Sequence, residues 1–137
     1  MKINAYLNFD GKCEEAFKFY EQVLGGTIQA IIRFDEMPEG GDFPPELAKN
    51  VMHVMLTVGD NVLMGSDAPP AYFQKAQGMT VAINVDTPEE AERLFADLSK
   101  DAESIMMPLG QTSWAQQFAM FTDRFGTPWI VNCPKPV

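Results

Sequence analysis

The chain contains a single histidine, and its imidazole is the side chain best suited to proton transfer. His53 lies in the strand-like segment VMHVMLTV, in which it shares a face with Met55. If that face lines a cavity, His53 can act as a general base or donate a hydrogen bond to a ligand. In the alternative, His53 is buried in a sheet and bonded to one carboxylate, for which Asp67 on the adjacent segment is the candidate. Asp67 can also simply end its strand.

Polar side chains on other strand-like segments are candidates for ligand contacts. Segment 3–9 alternates so that Tyr6 and Asn8 lie on one face, and Asn84 and Asn132 are expected on the same concave face. Asn8 and Asn84 also fit a second role, hydrogen bonding at the end of a strand. Trp114 precedes a strand and is the best candidate for a pocket wall or a contact between subunits.

Methionines are frequent on the predicted strands and allow two interpretations. Such residues usually fill the core, but six on strands can also line an adaptable apolar pocket. The six are Met52, Met55, Met64, Met106, Met107 and Met120.

Composition and motifs argue against several classes of function. The net charge of −9 comes from nineteen acids against ten Lys and Arg, which disfavours nucleic acids and anionic membranes as partners. No apolar run approaches the ~20 residues of a membrane-spanning helix. The N-terminus lacks the pattern of a secretory signal, so we expect a cytoplasmic protein with Cys13 and Cys133 reduced. No P-loop or Ser-His-Asp order is present.

The candidate side chains must be positioned by alternating strands and helices. The first half predicts strands over 3–9, 27–34, 51–58 and 62–67, a helix over 13–24, and an irregular connection over 35–50 with one helical turn near 45–47. The second half predicts a strand over 79–86, then a helix with Thr87 as its cap and Pro88 at its first position, running to about Lys100. A further strand and two arms around residues 124–126 follow.

Both halves therefore have the order β-α-β-β-β, and two short segments repeat with it. NFDGKCEEAFKFY at residues 8–20 matches NVDTPEEAERLF at residues 84–95 in its Asn-apolar-Asp start, its Glu-Glu-Ala centre and its aromatic end. The match favours a duplicated unit over a chance similarity between two strand-to-helix segments.

Paired β-α-β-β-β modules resemble the vicinal oxygen chelate (VOC) superfamily, and within it the chain resembles the PhnB-like, glyoxalase-related family. The most specific segment is QTSWAQQFAMFTDRFGTPWIVN, which contains Asp123, Gly126 and Trp129. The resemblance implies an α+β fold with a single VOC domain over 1–137, module one at about 1–70 and module two at about 78–137. The two modules would form a curved eight-stranded sheet around a cavity. It also implies a homodimer.

Metal-dependent members of that superfamily keep ligands on the first and last strands of each module. The corresponding positions here are Asn4, Thr80, Ile130 and Met64 or its neighbours, with Asp67 the nearest acid. These side chains are poor ligands for a divalent ion, so no metal and no other cofactor is expected.

These observations favour a metal-free protein that binds a small, partly apolar molecule, by analogy with bleomycin resistance proteins. The alternative is a VOC-type enzyme (a lyase, an isomerase or a transferase-like enzyme) that uses a weakly bound divalent metal or His53 as an acid–base group. The residues expected to contact the ligand are Tyr6, Asn8, His53, Met55, Asp67, Asn84, Trp114 and Asn132.

Overall fold

The computed structural model describes residues 1–37 and 41–136 of the chain. It contains two four-stranded sheets, each with one helix. The chain divides into two units, Met1–Lys75 (unit 1) and Ala76–Val137 (unit 2). Each sheet mixes one parallel strand pair with two antiparallel pairs. The fold is therefore α+β, as predicted.

Unit 1 begins with a strand and a helix and ends with a hairpin. Its elements are β1 (Ala5–Phe9), α1 (Cys13–Leu24), β2 (Thr27–Arg33), β3 (Val51–Val58) and β4 (Asn61–Asp67). The order across the sheet is β1-β4-β3-β2, with β1 parallel to β4. Single turns of 3-10 helix lie at Phe34–Glu36 and Pro45–Leu47 between β2 and β3.

Unit 2 repeats this plan. Its elements are β5 (Val81–Asn84), α2 (Pro88–Leu98), β6 (Ser104–Gly110), β7 (Ala115–Thr122) and β8 (Pro128–Pro134). The order is β5-β8-β7-β6, and β5 is again parallel to the last strand. The predicted repeat of five elements is thus present in both units.

In unit 1, the helix α1 covers one face of the sheet. Phe17 packs edge-on against Phe9 and Tyr20, with ring centroids 6.1 Å and 5.6 Å apart. The close approach depends on Gly65, because a Cβ there would lie 2.7 Å from Phe17 Cε1. We call the covered side the helix face and the opposite side, which carries Tyr6 and Asn8, the open face.

In unit 2, the helix α2 covers the equivalent face. Phe95 packs edge-on against Phe121 at 5.5 Å, and Trp129 and Val131 of β8 are buried on the same side. The residues between them along the strands, such as Ile130 and Asn132, form the open face of unit 2.

The boundaries of the elements follow local chemistry. α1 matches its prediction at both ends and stops where Gly25 adopts a left-handed conformation, with its N–H bonded to Glu21 O. α2 begins as predicted, since Thr87 Oγ1 accepts a hydrogen bond from Glu90 N at 3.2 Å. The predicted three-residue turn at 59–61 is shorter, because Asn61 already belongs to β4.

Residues 38–40 of the predicted connection over 35–50 lie outside the described residues. No helix in the described part of the chain is long and apolar enough to cross a membrane.

Candidate functional site

Four polar side chains of three adjacent strands gather on the open face of unit 1. Asn8 of β1 lies opposite Ser66 of β4, and their side chains share a long hydrogen bond of 3.4 Å. Val54 lies opposite Gly65 across β3 and β4, so the same register brings His53 beside Ser66. Asn8, Ser66 and His53 therefore form one row across the sheet, which we call the polar row.

Tyr6 joins the polar row from the same strand as Asn8. The Tyr6 hydroxyl and His53 Nδ1 share a hydrogen bond of 3.0 Å, and the two rings are stacked with centroids 5.7 Å apart. Tyr6 is 45% exposed, a large value for an aromatic side chain that is already hydrogen-bonded. The partner of His53 is therefore a phenol, not the carboxylate of Asp67 that the sequence suggested.

A row of apolar side chains lies beside the polar row and consists of Met64, Met55 and Ala30 on β4, β3 and β2. Tyr6 lies at the end of this row, opposite Met64. Met55 and Met64 are only partly buried. The open face thus combines hydrogen-bonding groups with an accessible apolar surface, as ligand sites typically do.

Asp67 does not belong to this face, which corrects its assignment as a ligand-binding residue. Its carboxylate is 4% exposed on the helix face, where Oδ1 accepts from Cys13 N at 3.0 Å and Oδ2 accepts from Val51 N at 2.9 Å. The two bonds join the start of α1 and the start of β3 to the end of β4. Asp67 therefore has a structural role, the second role considered for it.

The open face of unit 2 brings together the remaining predicted residues. Asn84 lies opposite Asn132, which lies opposite Phe118, and Trp114 packs edge-on against Phe118 at 5.3 Å. Asn132 Nδ2 donates to Asn84 Oδ1 at 2.9 Å, while the buried Asn132 Oδ1 has no partner among the described residues. Trp114 is 55% exposed. This row of unit 2 carries amides and aromatic rings, whereas the polar row of unit 1 carries an imidazole.

Ser66 is the one member of the polar row that sequence reasoning did not select. A lone serine near a strand end gives no chemical signal. Alternation places Ser66 on the side opposite Asp67, so Ser66 is assigned to the open face only once Asp67 is known to lie on the helix face.

The donor set on the open face of unit 1 does not fit a divalent ion. The polar row and Tyr6 together offer one imidazole, one phenol, one amide and one hydroxyl, without a carboxylate. Of the positions taken over from metal-dependent members, Asn4 and Thr80 precede β1 and β5, and Met64 and Ile130 lie on the open faces opposite Tyr6 and Ala82. The described residues contain no group of three or more His, Cys, Asp and Glu arranged to hold a metal.

The two cysteines are not candidates for nucleophilic chemistry. Both are free thiols buried in the cores of their own units. Burial raises the pKa of the Cys13 thiol far above its usual range, and the nearby charges of Asp67 and Glu14 raise it further. A protonated, buried thiol is a weak nucleophile.

Comparison with known proteins identifies the family. The model of the family described as 3-demethylubiquinone-9 3-methyltransferase matches residues 1–132. Protein YjdN of Escherichia coli (strain K12) is 31% identical, over 98% of this chain and 97% of its own. The crystal structure of protein PA1353 from Pseudomonas aeruginosa is 45% identical with a TM-score of 0.90, covering 99% of both chains. A putative 3-demethylubiquinone-9 3-methyltransferase, PhnB protein, from Bacillus cereus is 29% identical with a TM-score of 0.79, covering 97% of this chain and 99% of its own.

The strand-to-helix turns of this chain do not fit a nucleoside-type methyl donor, which a glycine-rich turn at a helix N-terminus would hold. In unit 1, the turn has a single glycine, Gly11, and the first N–H of α1, that of Cys13, is bonded to Asp67. In unit 2, the turn has no glycine, and Thr87 caps α2. Both helix starts are thus occupied by the chain's own side chains.

At the level of the fold, the chain also resembles a glyoxylase/bleomycin resistance protein/dioxygenase domain from Frankia sp. EAN1pec. That structure is 13% identical with a TM-score of 0.59, and it covers 97% of this chain and 94% of its own. The fold, with its duplicated β-α-β-β-β plan, is therefore that of the VOC superfamily. Together, the matches establish that the chain belongs to the PhnB-like family, whose model is described as 3-demethylubiquinone-9 3-methyltransferase.

Proposed function

We propose that this protein binds a small, partly apolar molecule on the open face of unit 1 and does so without a metal. The observation that carries the proposal is the Tyr6–His53 hydrogen bond of 3.0 Å beside Asn8 and Ser66, on a face that α1 does not cover. These polar groups retain hydrogen-bonding capacity and lie next to accessible methionines. Strands hold them, so little conformational entropy is lost when a ligand binds.

The test is a screen of small molecules against protein labelled with ¹³C at its methionine methyl groups. A ligand of this site shifts the methyl signals of Met55 and Met64, which we assign with Met55→Leu and Met64→Leu. His53→Phe introduces the residue that unit 2 carries at the equivalent position, and it should weaken binding about fivefold or more because a hydrogen bond is lost.

The matched control is Asn61→Ala, at the exposed start of β4 and outside the polar row. It should leave the affinity of such a ligand unchanged. A ligand whose affinity is insensitive to His53→Phe, or that shifts other methionines and not these two, contradicts the proposed site.

The absence of a metal is tested separately. Protein purified without chelators should contain far less than one metal ion per chain, and Ni, Zn, Mn and Fe should not raise its Tm. A stoichiometric metal whose removal lowers Tm or abolishes binding contradicts this part of the proposal.

A second candidate function is acid–base catalysis by the same pair of side chains. The Tyr6–His53 hydrogen bond supports it, because the pair can relay a proton without becoming charged. His53 Nε2 takes a proton from the carbon next to a carbonyl, Nδ1–H passes its proton to the Tyr6 oxygen, and the Tyr6 O–H proton moves to the carbonyl oxygen. The ketone becomes an enol, and the imidazole ends in its other neutral tautomer.

Phenylpyruvate is a suitable probe for this second function, since its enol is followed by ultraviolet absorbance. Catalysed tautomerisation should fall at least about 100-fold in Tyr6→Phe and in His53→Gln, while Asn61→Ala retains full activity. Rates equal to that of buffer alone contradict the catalytic role and leave the binding role intact.

We further propose that the protein is a cytoplasmic homodimer. Support for the dimer comes from the edge strand β6, where Ile105, Met106 and Met107 are 47%, 52% and 38% exposed, since accessible apolar side chains on an edge strand favour association. Two free buried thiols suit a reducing compartment. Sedimentation equilibrium at micromolar concentration tests the dimer, and a mass near the 15.3 kDa of one chain contradicts it.

A further inference from the structure

The four strands of unit 1 present several hydrogen-bond donors on the open face and no acid on that face. We infer that its ligand carries a carboxylate attached to an apolar group. This inference rests on the proposed function, because it names the class of ligand that the same face takes.

The first donor comes from the Tyr6–His53 pair. When the Tyr6 hydroxyl donates to Nδ1, the imidazole carries its proton at Nε2, and that N–H is left unpaired. When Nδ1–H donates to the Tyr6 oxygen, the Tyr6 O–H is left unpaired instead. Neither side chain has a second hydrogen-bond partner among the described residues, so in both states the pair keeps one donor for a ligand.

Further donors come from the other end of the polar row. The Asn8 amide contacts Ser66 through its oxygen, so both N–H groups of Nδ2 remain available. At 3.4 Å the contact with Ser66 Oγ is long, and the hydroxyl can turn toward a closer acceptor. Adjacent strands are about 4.8 Å apart, so the donors of Asn8, Ser66 and His53 lie along a short line.

Acidic groups are lacking where a cationic ligand would need them. Asp67 is the only acid in the four described strands of unit 1, and both its oxygens accept backbone N–H groups on the helix face. An ammonium group on the open face would therefore lose water without gaining a counter-charge. A carboxylate would gain charge-assisted hydrogen bonds, which are about twice as strong as neutral ones.

The net charge of −9 opposes this preference at long range. At about 0.15 M salt, however, charges farther away than about 8 Å are largely screened, while direct hydrogen bonds are not. Local donors therefore decide the preference at physiological ionic strength. The apolar part of the ligand is expected over Met55 and Met64, whose thioethers adapt to aromatic rings.

Three probes with the same aromatic group test the inference: phenylacetate, phenylacetamide and phenethylamine. Each is titrated at 0.15 M salt while the methyl signals of Met55 and Met64 are recorded. Phenylacetate should bind about tenfold more tightly than phenethylamine, with phenylacetamide between them. Asn8→Ala should weaken phenylacetate binding about fivefold, and Asn61→Ala, at the exposed start of β4, should have no effect.

The possible outcomes separate this inference from the function on which it rests. Phenethylamine binding as tightly as phenylacetate overturns the carboxylate preference but leaves a binding site in place. Equal loss in Asn8→Ala and Asn61→Ala overturns the role of the polar row. If no probe moves the signals of Met55 and Met64, both the preference and the proposed binding role are contradicted.

Discussion

The two units share one plan but differ on their open faces. At equivalent positions, unit 1 has Asn8, Ser66 and His53, whereas unit 2 has Asn84, Asn132 and Phe118. The backbone register is the same, so the difference lies in the side chains alone. On the open faces, the side chains able to exchange protons therefore belong to unit 1. The open face of unit 2 carries a pair of amides and aromatic side chains instead.

The helix faces differ as well. Gly65 of unit 1 is equivalent to Val131 of unit 2, and Phe17 of α1 is equivalent to Glu92 of α2. Unit 1 thus combines a large helix residue with a glycine in the sheet, whereas unit 2 combines an exposed glutamate on the helix with a valine in the sheet. We interpret these two changes as an exchange of core volume between helix and sheet.

The largest expected effect concerns the buried carboxylate of unit 2, which has no equivalent in the hairpin of unit 1. Asp123 is fully buried and accepts hydrogen bonds from Phe125 N, Thr127 N and Trp129 Nε1 at 2.8–2.9 Å. Asp123→Ala removes the acceptor of these three buried hydrogen bonds, and we expect a loss of about 3–5 kcal/mol in the free energy of unfolding by urea.

The control for that change is Asp60→Ala in the exposed turn of unit 1. It should alter the free energy of unfolding by less than about 0.5 kcal/mol. A similar loss for both variants would mean that the two hairpins are held in the same way.

The next effect tests the exchange of core volume between the units. Gly65→Val gives unit 1 the residue of unit 2, but the new side chain meets Phe17 and the Leu7 carbonyl, 2.7 Å and 2.8 Å from the Cβ position. We expect a loss of about 2–3 kcal/mol in urea denaturation. In a double-mutant cycle, Phe17→Ala should recover about 1 kcal/mol of the stability lost in Gly65→Val.

Gly110→Val is the control, because nothing lies closer to its Cβ position than Pro108 O at 3.8 Å. Additive losses in the cycle would refute the exchange of core volume.

A smaller effect distinguishes how the two helices begin. Thr87 caps α2 through its own side chain, whereas Lys12 at the start of α1 makes no side-chain cap and the distant Asp67 takes the N–H of Cys13. Thr87→Ala should therefore cost about 1 kcal/mol, and Lys12→Ala almost nothing, as measured by thermal unfolding. Equal losses would show that local capping matters in both units.

The smallest effect is a dependence on pH that belongs to unit 1. Hydrogen bonding from Arg33, at 2.9–3.0 Å, lowers the pKa of Glu14 from 4.5 to about 2. Because the folded-state pKa is depressed, the stabilisation is complete above pH 4.5 and is lost as the pH falls toward 2. Glu14→Gln should lower the urea midpoint at pH 7 by less than Thr87→Ala does, and the deficit should shrink on acidification. Gln22→Ala, at an exposed position of the same helix, is the control, and its effect on the urea midpoint should be the same at both pH values.

Much of the fold could be predicted because its signals are local. The Gly-Gly pair after Leu24, the Thr-Pro start of α2 and the repeated Glu-Glu-Ala segment are properties of short stretches, and all three correspond to observed boundaries. Tyr6, Asn8, Asn84 and Asn132 were assigned to the open faces from simple alternation.

The parts of the site that could not be predicted depend on register between strands. Both faces of β4, with the sequence NVLMGSD, carry apolar residues. Alternation therefore does not predict which face of β4 packs against α1. The sequence therefore suggested Asp67 as a ligand contact and omitted Ser66. The Tyr6–His53 pair joins residues on β1 and β3, which are separated in the sheet by β4. That proximity follows from tertiary structure and has no local signature.

The pairing of β1 with β4 and of β5 with β8 has a consequence for how such a chain could arise. In each unit the first strand lies beside the last, and the strand pairs formed by the described residues are internal to their units. A segment with this property can be copied in tandem without interrupting any ladder of backbone hydrogen bonds. Each copy is then free to change its exposed side chains independently, so one ancestral surface can give rise to two with different chemistry.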